Sequence, residues 1–488
     1  MHKRYALLLG VALMGRPTSA QDGGFFLADS TYDTLEEGLL FGDGRDADGR
    51  DRRVVSLRPY CPVPGQQGAA PAVTSLGWAF GYGAMSMALA EKRGLKGSRI
   101  TAEAFSAYFP FALMKKDPKR CQLTTDYVAE LKRVFTQVGN VKAADYDRQP
   151  FRCDAAPPAA LLRQAAPYAA RELQRVFRSD ATDQSSSVGE KVFKTKQVLR
   201  AGRPVVVTLL VDPAFATLRT DTWLPDESPK LTGQAVLVVG YDDERQAFEV
   251  LNSRGTAWGR GGFAWVRYRD MQYARHGFQL VFGALSPTPT PPSGKSLVRF
   301  GGDFGLYSPD FPDLAVTLRQ RMYETNHTWP EGTRLQLVAD RISPYHYVYV
   351  FSVDPTGKPT LHFPLSGSAR TSPLVADART RVVIPAPRLE FADDGTVTPV
   401  EQAMIKDQPG TDWVVALYST RRLDGELPAL FAALTSHQND LVKTLENALG
   451  NRLVPWANIR YAPDRMRFQA ETPTGHVVPV VLRLRGSD

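Results

Sequence analysis

Ser75-Leu76-Gly77-Trp78-Ala79-Phe80 opens an apolar run that continues to Leu89 and closes in Glu91-Lys92-Arg93-Gly94. The run is too long for a strand and rich in Ala and Met. Gly94 suits the position just past a helix, where glycine takes up a left-handed backbone at little cost. The stretch therefore reads as a buried helix with Ser75 in its first turn. Ser is a strong helix N-cap, worth about 1 kcal/mol over Ala, and capping is the plain reading of Ser75. A glycine-rich turn, Pro64-Gly65-Gln66-Gln67-Gly68, lies just upstream.

A second cluster lies far along the chain. Gly233-Gln234-Ala235-Val236 runs into Val238-Val239-Gly240-Tyr241, followed by Asn252-Ser253-Arg254-Gly255-Thr256-Ala257-Trp258-Gly259. Gly240-Tyr241-Asp242-Asp243 and Trp258-Gly259-Arg260-Gly261-Gly262-Phe263 fit tight turns between strands. Asp242 and Asp243 are read as turn residues and not as a metal pair.

With Pro59-Tyr60-Cys61-Pro62 and Gln67-Gly68 added to these clusters, the chain resembles the papain-like cysteine peptidases, in particular their secreted bacterial branch. The resemblance covers Ser56 to Leu285. It implies an α+β, two-lobed papain-like domain, with a helical lobe and an antiparallel β-barrel lobe. It also implies that Ser75 stands at the position of the nucleophilic cysteine, Gln234 at that of the catalytic histidine, and Asn252 at that of the orienting asparagine. Arg254 replaces the tryptophan that shields that asparagine. Gln67 matches the glutamine of the family's oxyanion hole, two residues further from the nucleophile position than usual.

These replacements decide the chemistry. A papain-like thiol ionises because an imidazolium and a helix N-terminus stabilise the thiolate. A serine hydroxyl is a far weaker acid, and a helix dipole contributes only about 0.3–1 kcal/mol. Serine needs a general base within hydrogen-bond reach, and the amide of Gln234 cannot accept a proton near neutral pH. Of the seven histidines, His276 alone falls within the papain-like region, and it lies past the last motif. It is read as an exposed or hydrogen-bonded structural residue. Val73-Thr74-Ser75-Leu76-Gly77 is only half of a serine-hydrolase elbow.

The 488 residues suffice for two or three domains. Hydrophobic content of 43% and charged content of 23% are ordinary for a globular chain. Residues 1–20 have the basic start, short apolar core and small residues before Gln21 of a secretory signal peptide. The expected location is secreted or periplasmic, with cleavage after Ala20. No later run is apolar enough for a transmembrane helix. Removing Lys3, Arg4 and Arg16 lowers the formal charge from +8 to +5, without a basic patch interleaved with aromatics. A nucleic-acid partner is not expected, and neither is a cofactor or a metal. Three cysteines remain. Cys121 and Cys153 sit where the resembled family often has cysteines, and their pairing, with Cys61 free, is expected from that resemblance.

Residues 21–53 read as an extended polar segment, 54–285 as the papain-like domain, and 286–296 as a Pro-rich linker. Helices are expected over Ile100–Leu113, Asp126–Val138, Pro157–Phe177 and Val192–Arg200, with a strand over Pro204–Val211. Residues 297–488 read as a β-rich α+β domain with a helical hairpin or one broken helix over Leu427–Leu449. Tyr345, Tyr347, Tyr349 and Phe351 share one strand face, with core packing as the default reading. The Tyr347-Val348-Tyr349-Val350-Phe351 strand, the Asp354–Gly357 turn, Phe363-Pro364 and Leu417-Tyr418-Ser419 resemble a bacterial domain of unknown function. Three functional readings follow. The first is an exported pseudo-peptidase that binds peptide or protein partners through the residual cleft and the C-terminal domain. The second is an active hydrolase with Ser75 as nucleophile, and the third is a structural cell-envelope protein.

Overall fold

The run that begins at Ser75 is helical throughout. Thr74–Gly77 and Ser86–Arg93 are α-helix, and Trp78–Met85 between them is wound as π-helix. The structure is a computed structural model that describes residues 28–38, 52–65, 74–114, 116–117, 122–123, 126–147, 156–179, 185–226, 231–283, 297–311, 314–339, 343, 346–367, 370–375, 382–391, 397–435 and 440–486. The signal-peptide and linker readings, and those on Gln67, Cys121, Cys153 and Tyr345, lie outside the described residues.

Gly94 ends the helix with φ 61°, and Lys92 and Arg93 fill its last turn, where the partial negative charge of the carbonyl end favours cations. A methyl group on Gly77 or Gly81 would run into the carbonyl oxygen of Ala107 or Ser106. The glycines therefore let the helix press against the 104–107 segment. Trp78 stacks on Tyr82, whose hydroxyl donates to Val63 O at 2.6 Å.

Against this helix lies a seven-stranded antiparallel sheet. Its order is Glu172–Arg175, Ala274–Val281, Val205–Val211, Thr232–Asp242, Ala247–Leu251 and Phe263–Arg267, with Val54–Ser56 added on Thr232–Asp242. Valines and leucines dominate the central strands, which are buried on both faces. No closed barrel is found among the described residues: Glu172–Arg175 and Phe263–Arg267 are the ends of the sheet, and no pairing joins them there.

Several expected elements differ. Ile100–Leu113 is two short helices, Ser98–Ala102 and Phe109–Leu113. The turn between them is held by Ser106 Oγ, which accepts from Phe109 N–H at 2.8 Å. Pro157–Phe177 is helical only over Ala159–Ala165 and Ala166–Tyr168. Glu172–Arg175 instead forms a strand on Ala274–Val281, because a free sheet edge satisfies more backbone groups than a solitary helix end. The polar N-terminal segment, expected to be extended, holds a helical turn at Asp29–Tyr32. Tyr32 is fully buried there and donates to the carbonyls of Phe177 and Gly277 at 2.6 and 2.8 Å.

The C-terminal unit stacks two sheets. One has the order Val382–Ile384, Arg334–Ala339, Val298–Tyr307, Met466–Thr472 and Ile459–Tyr461. The other has the order Val316–Arg319, Met322–Thr325, Val477–Leu484, Asp412–Ser419, His346–Val353 and Pro359–Phe363. Leu427–Thr435 and Leu441–Leu449 form the helical pair. Tyr347, Tyr349 and Phe351 pack towards these helices, in one core with Leu427, Leu430 and Leu445. The two units meet around the N-terminal segment. Arg175 N–H donates to Glu36 O, Glu37 N–H to Arg370 O, and Ser372 N–H to Glu37 O. Arg422 adds an ion pair to Glu172 at 2.9 Å.

Candidate functional site

Ser75 is the second residue of its helix and only 2% exposed. Its oxygen accepts from the Ala235 N–H at 3.3 Å. The hydroxyl is thus tied to the neighbouring strand, and no N-cap bond from it to its own helix is found among the described residues. The helix start and the Thr232–Asp242 strand together hold Ser75 beside Gln234.

Gln234 faces Leu209 across the Val205–Val211 pairing and is 4% exposed. Its Nε2 donates to Ala235 O at 3.1 Å and, over a long 3.4 Å, to Asn252 Oδ1. Its Oε1 accepts from Arg254 Nη2 at 3.4 Å. Asn252 follows the Ala247–Leu251 strand and is fully buried. Asn252 Oδ1 also accepts from Ser253 N–H at 2.7 Å, while its Nδ2 is buried without a partner among the described residues. The turn that carries Asn252 is anchored by Trp258, whose Nε1 donates to Phe215 O at 2.6 Å. The Asn252 N–H donates to Gly262 O at 3.1 Å.

Ser75, Gln234, Asn252 and Arg254 therefore meet, although up to 179 positions separate them in sequence. The centre is a hydroxyl and two amides, none of which takes up or releases a proton near neutral pH. Arg254 is exposed at its rim. Burial of part of its side chain holds its pKa below the usual arginine value, with no carboxylate acting in the opposite direction.

His276 lies elsewhere. Its Nδ1 is 2.9 Å from Thr208 Oγ1 and its Nε2 is 2.8 Å from Asp29 Oδ1. Burial holds it below the usual histidine range, although Asp29 pulls the other way. The sequence leaves His276 either exposed or hydrogen-bonded; it is buried and hydrogen-bonded, and the sequence does not identify Thr208 or Asp29 as its partners. Nothing local signals these contacts, because the Asp29 contact spans 247 positions. Asp242 Oδ1 accepts from the Glu244 N–H at 2.9 Å, a turn contact, and Asp243 pairs with Lys196 at 2.8 Å. Cys61 is a free thiol packed on Met87, with sulfurs 3.7 Å apart, and burial pushes the thiol up.

No family model and no curated protein matches the chain. Solved structures do resemble part of it. Xylellain, a cysteine protease from Xylella fastidiosa, aligns over 54% of this chain and 96% of its own, with 19% identity and a TM-score of 0.41. The digestive procathepsin L 3 of Tenebrio molitor aligns over 51% and 77%, with 15% identity and a TM-score of 0.36. The procathepsin B S9 of Trypanosoma congolense aligns over 52% and 85%, with 15% identity and a TM-score of 0.39.

Proposed function

We propose that the chain is an exported papain-like pseudo-peptidase, which binds a peptide or protein segment without cleaving it. One observation carries this reading. The group beside Ser75, 3.4 Å from Asn252, is the amide of Gln234 and not a base. Ser75 Oγ accepts a backbone N–H, and no basic side chain among the described residues receives its proton. The sequence motifs that flank Ser75, Gln234 and Asn252 support the papain-like frame, and the apolar start of the chain supports export. The C-terminal unit is the proposed second docking surface.

The histidine of the same unit is His276. It is occupied by Thr208 and Asp29 and buried at 2% exposure, so an active serine hydrolase has no observation in its favour. A structural envelope role does have one, since Ser75 and Gln234 are closed from solvent.

Incubating the purified protein with a mixed peptide library, beside Ser75→Ala and an active papain-like control, tests the reading. Binding without cleavage is expected from both forms. Cleavage lost in Ser75→Ala refutes it, and failure of any peptide or protein to bind favours the envelope role.

A further inference from the structure

We propose that the ligand of this site presents a carboxylate, from an acidic side chain or a free C-terminus, and that Arg254 receives it. The inference rests on the peptide-binding reading above. Arg254 has one guanidinium nitrogen on Gln234 Oε1 at 3.4 Å, which leaves its other N–H groups open at the rim. A planar guanidinium with free N–H groups suits bidentate binding of a carboxylate.

Other part-buried arginines of this chain are neutralised internally. Arg133 pairs with Glu130 at 2.8 Å, Arg267 with Asp270 at 2.6 Å, and Arg422 with Glu172 at 2.9 Å. Arg254 has no ion pair among the described residues, and desolvation alone shifts it. Two more cations share the turn. Arg219 Nη1 donates to Ala257 O at 2.6 Å, and Arg260 projects from the same turn into solvent. Neither has an ion pair among the described residues. Asp221, the nearest acid in sequence to Arg219, accepts from Thr222 Oγ1 at 3.1 Å. Arg254 and Arg260 on this turn, and Arg219 bonded to it, are thus cations beside a neutral centre, which favours an anionic ligand.

Fluorescence anisotropy with labelled peptides and the full-length protein tests this. The probes are a glutamate-rich peptide with a free C-terminus, the same peptide amidated, and its glutamine counterpart in both forms. The acidic peptide is expected to bind more tightly than the amidated glutamine peptide, and more weakly as salt rises. Arg254→Ala should weaken binding on the order of tenfold or more, and Arg254→Lys should keep part of it. Arg163→Ala, an equal charge loss on the exposed face of the Ala159–Ala165 helix, should leave binding unchanged. The amidated and glutamine arms tell which carboxylate is read. Unchanged affinity in Arg254→Ala, or equal losses in Arg254→Ala and Arg163→Ala, overturns the inference. Neutral peptides that bind as tightly as acidic ones overturn the inference but leave the peptide-binding reading standing. If none of the probes binds, this inference falls, and a broad library then decides the binding reading separately.

Discussion

Leu209 faces Gln234 and Thr208 faces Ala235 across one antiparallel pair, so a single step along the strand separates two polar arrangements. Successive side chains point to opposite faces of a sheet. On one face Gln234 meets Asn252 and Arg254, with Ser75 bonded to the adjoining backbone. On the other, Thr208, His276 and Asp29 form a hydroxyl–imidazole–carboxylate chain at 2.9 and 2.8 Å. That second chain has the residue types of a nucleophile, a base and an orienting acid. It is sealed by the ring of Tyr32, 4.5 Å from His276, and Arg275 also pairs with Asp29. It fixes the N-terminal segment to the sheet. The face that carries the resemblance to a peptidase has no base, and the base sits where no substrate reaches. Residue types alone do not make a site; the face they occupy and the access they have decide.

The largest effect is expected from His276→Ala. It strips a buried hydroxyl and a carboxylate of their shared partner, and should cost about 2–3 kcal/mol. The check is the denaturant midpoint of the N-terminal unit. Peptide binding at Arg254 should persist wherever the protein stays folded. If the substitution changed binding in folded protein and left the midpoint unmoved, the two faces would be coupled and the contrast would break.

The pH dependence should be smaller and of definite sign. The folded state favours neutral His276, and the unfolded ring takes up its proton near pH 6.5. The stability it contributes is present above about 6.5 and is lost as pH falls below it. His276→Gln should flatten that acid limb of the melting curve. An unchanged limb would show that His276 is not the group responsible.

Ser75→Cys with Gln234→His puts thiol and imidazole back on the cleft face. Only weak turnover is expected, because Arg254 and the longer sequence spacing from Gln67 to Ser75 still depart from the papain-like pattern. Alkylation rates of the new thiol at several pH values check whether it ionises. Full papain-like turnover would show these departures to be harmless. The smallest effect is expected from Ser75→Ala, which removes a 3.3 Å bond from Ala235 and should cost about 1 kcal/mol or less.

The helix after Ser75, its end at Gly94 and the Val205–Val211 strand were legible because composition, period and capping agreed. The meeting of Ser75, Gln234 and Asn252 was legible only through the resemblance. Pro157–Phe177 misled because its Ala-rich composition favours helix, while the edge of Ala274–Val281 captured Glu172–Arg175. Such tertiary pairing overrides propensity. Asp29 and Tyr32 gave no signal, since their partners lie around Phe177 and His276–Gly277. Arg254 was legible as a lost tryptophan, but its reach to Gln234 follows from the turn that Trp258 anchors.

The most direct test is hydrolysis of a mixed peptide library by the purified protein, run beside Ser75→Ala. No cleavage by either form is the expected result, since no base adjoins Ser75. Cleavage by the wild type that disappears in Ser75→Ala would make Ser75 a nucleophile and contradict the assignment of a non-catalytic site.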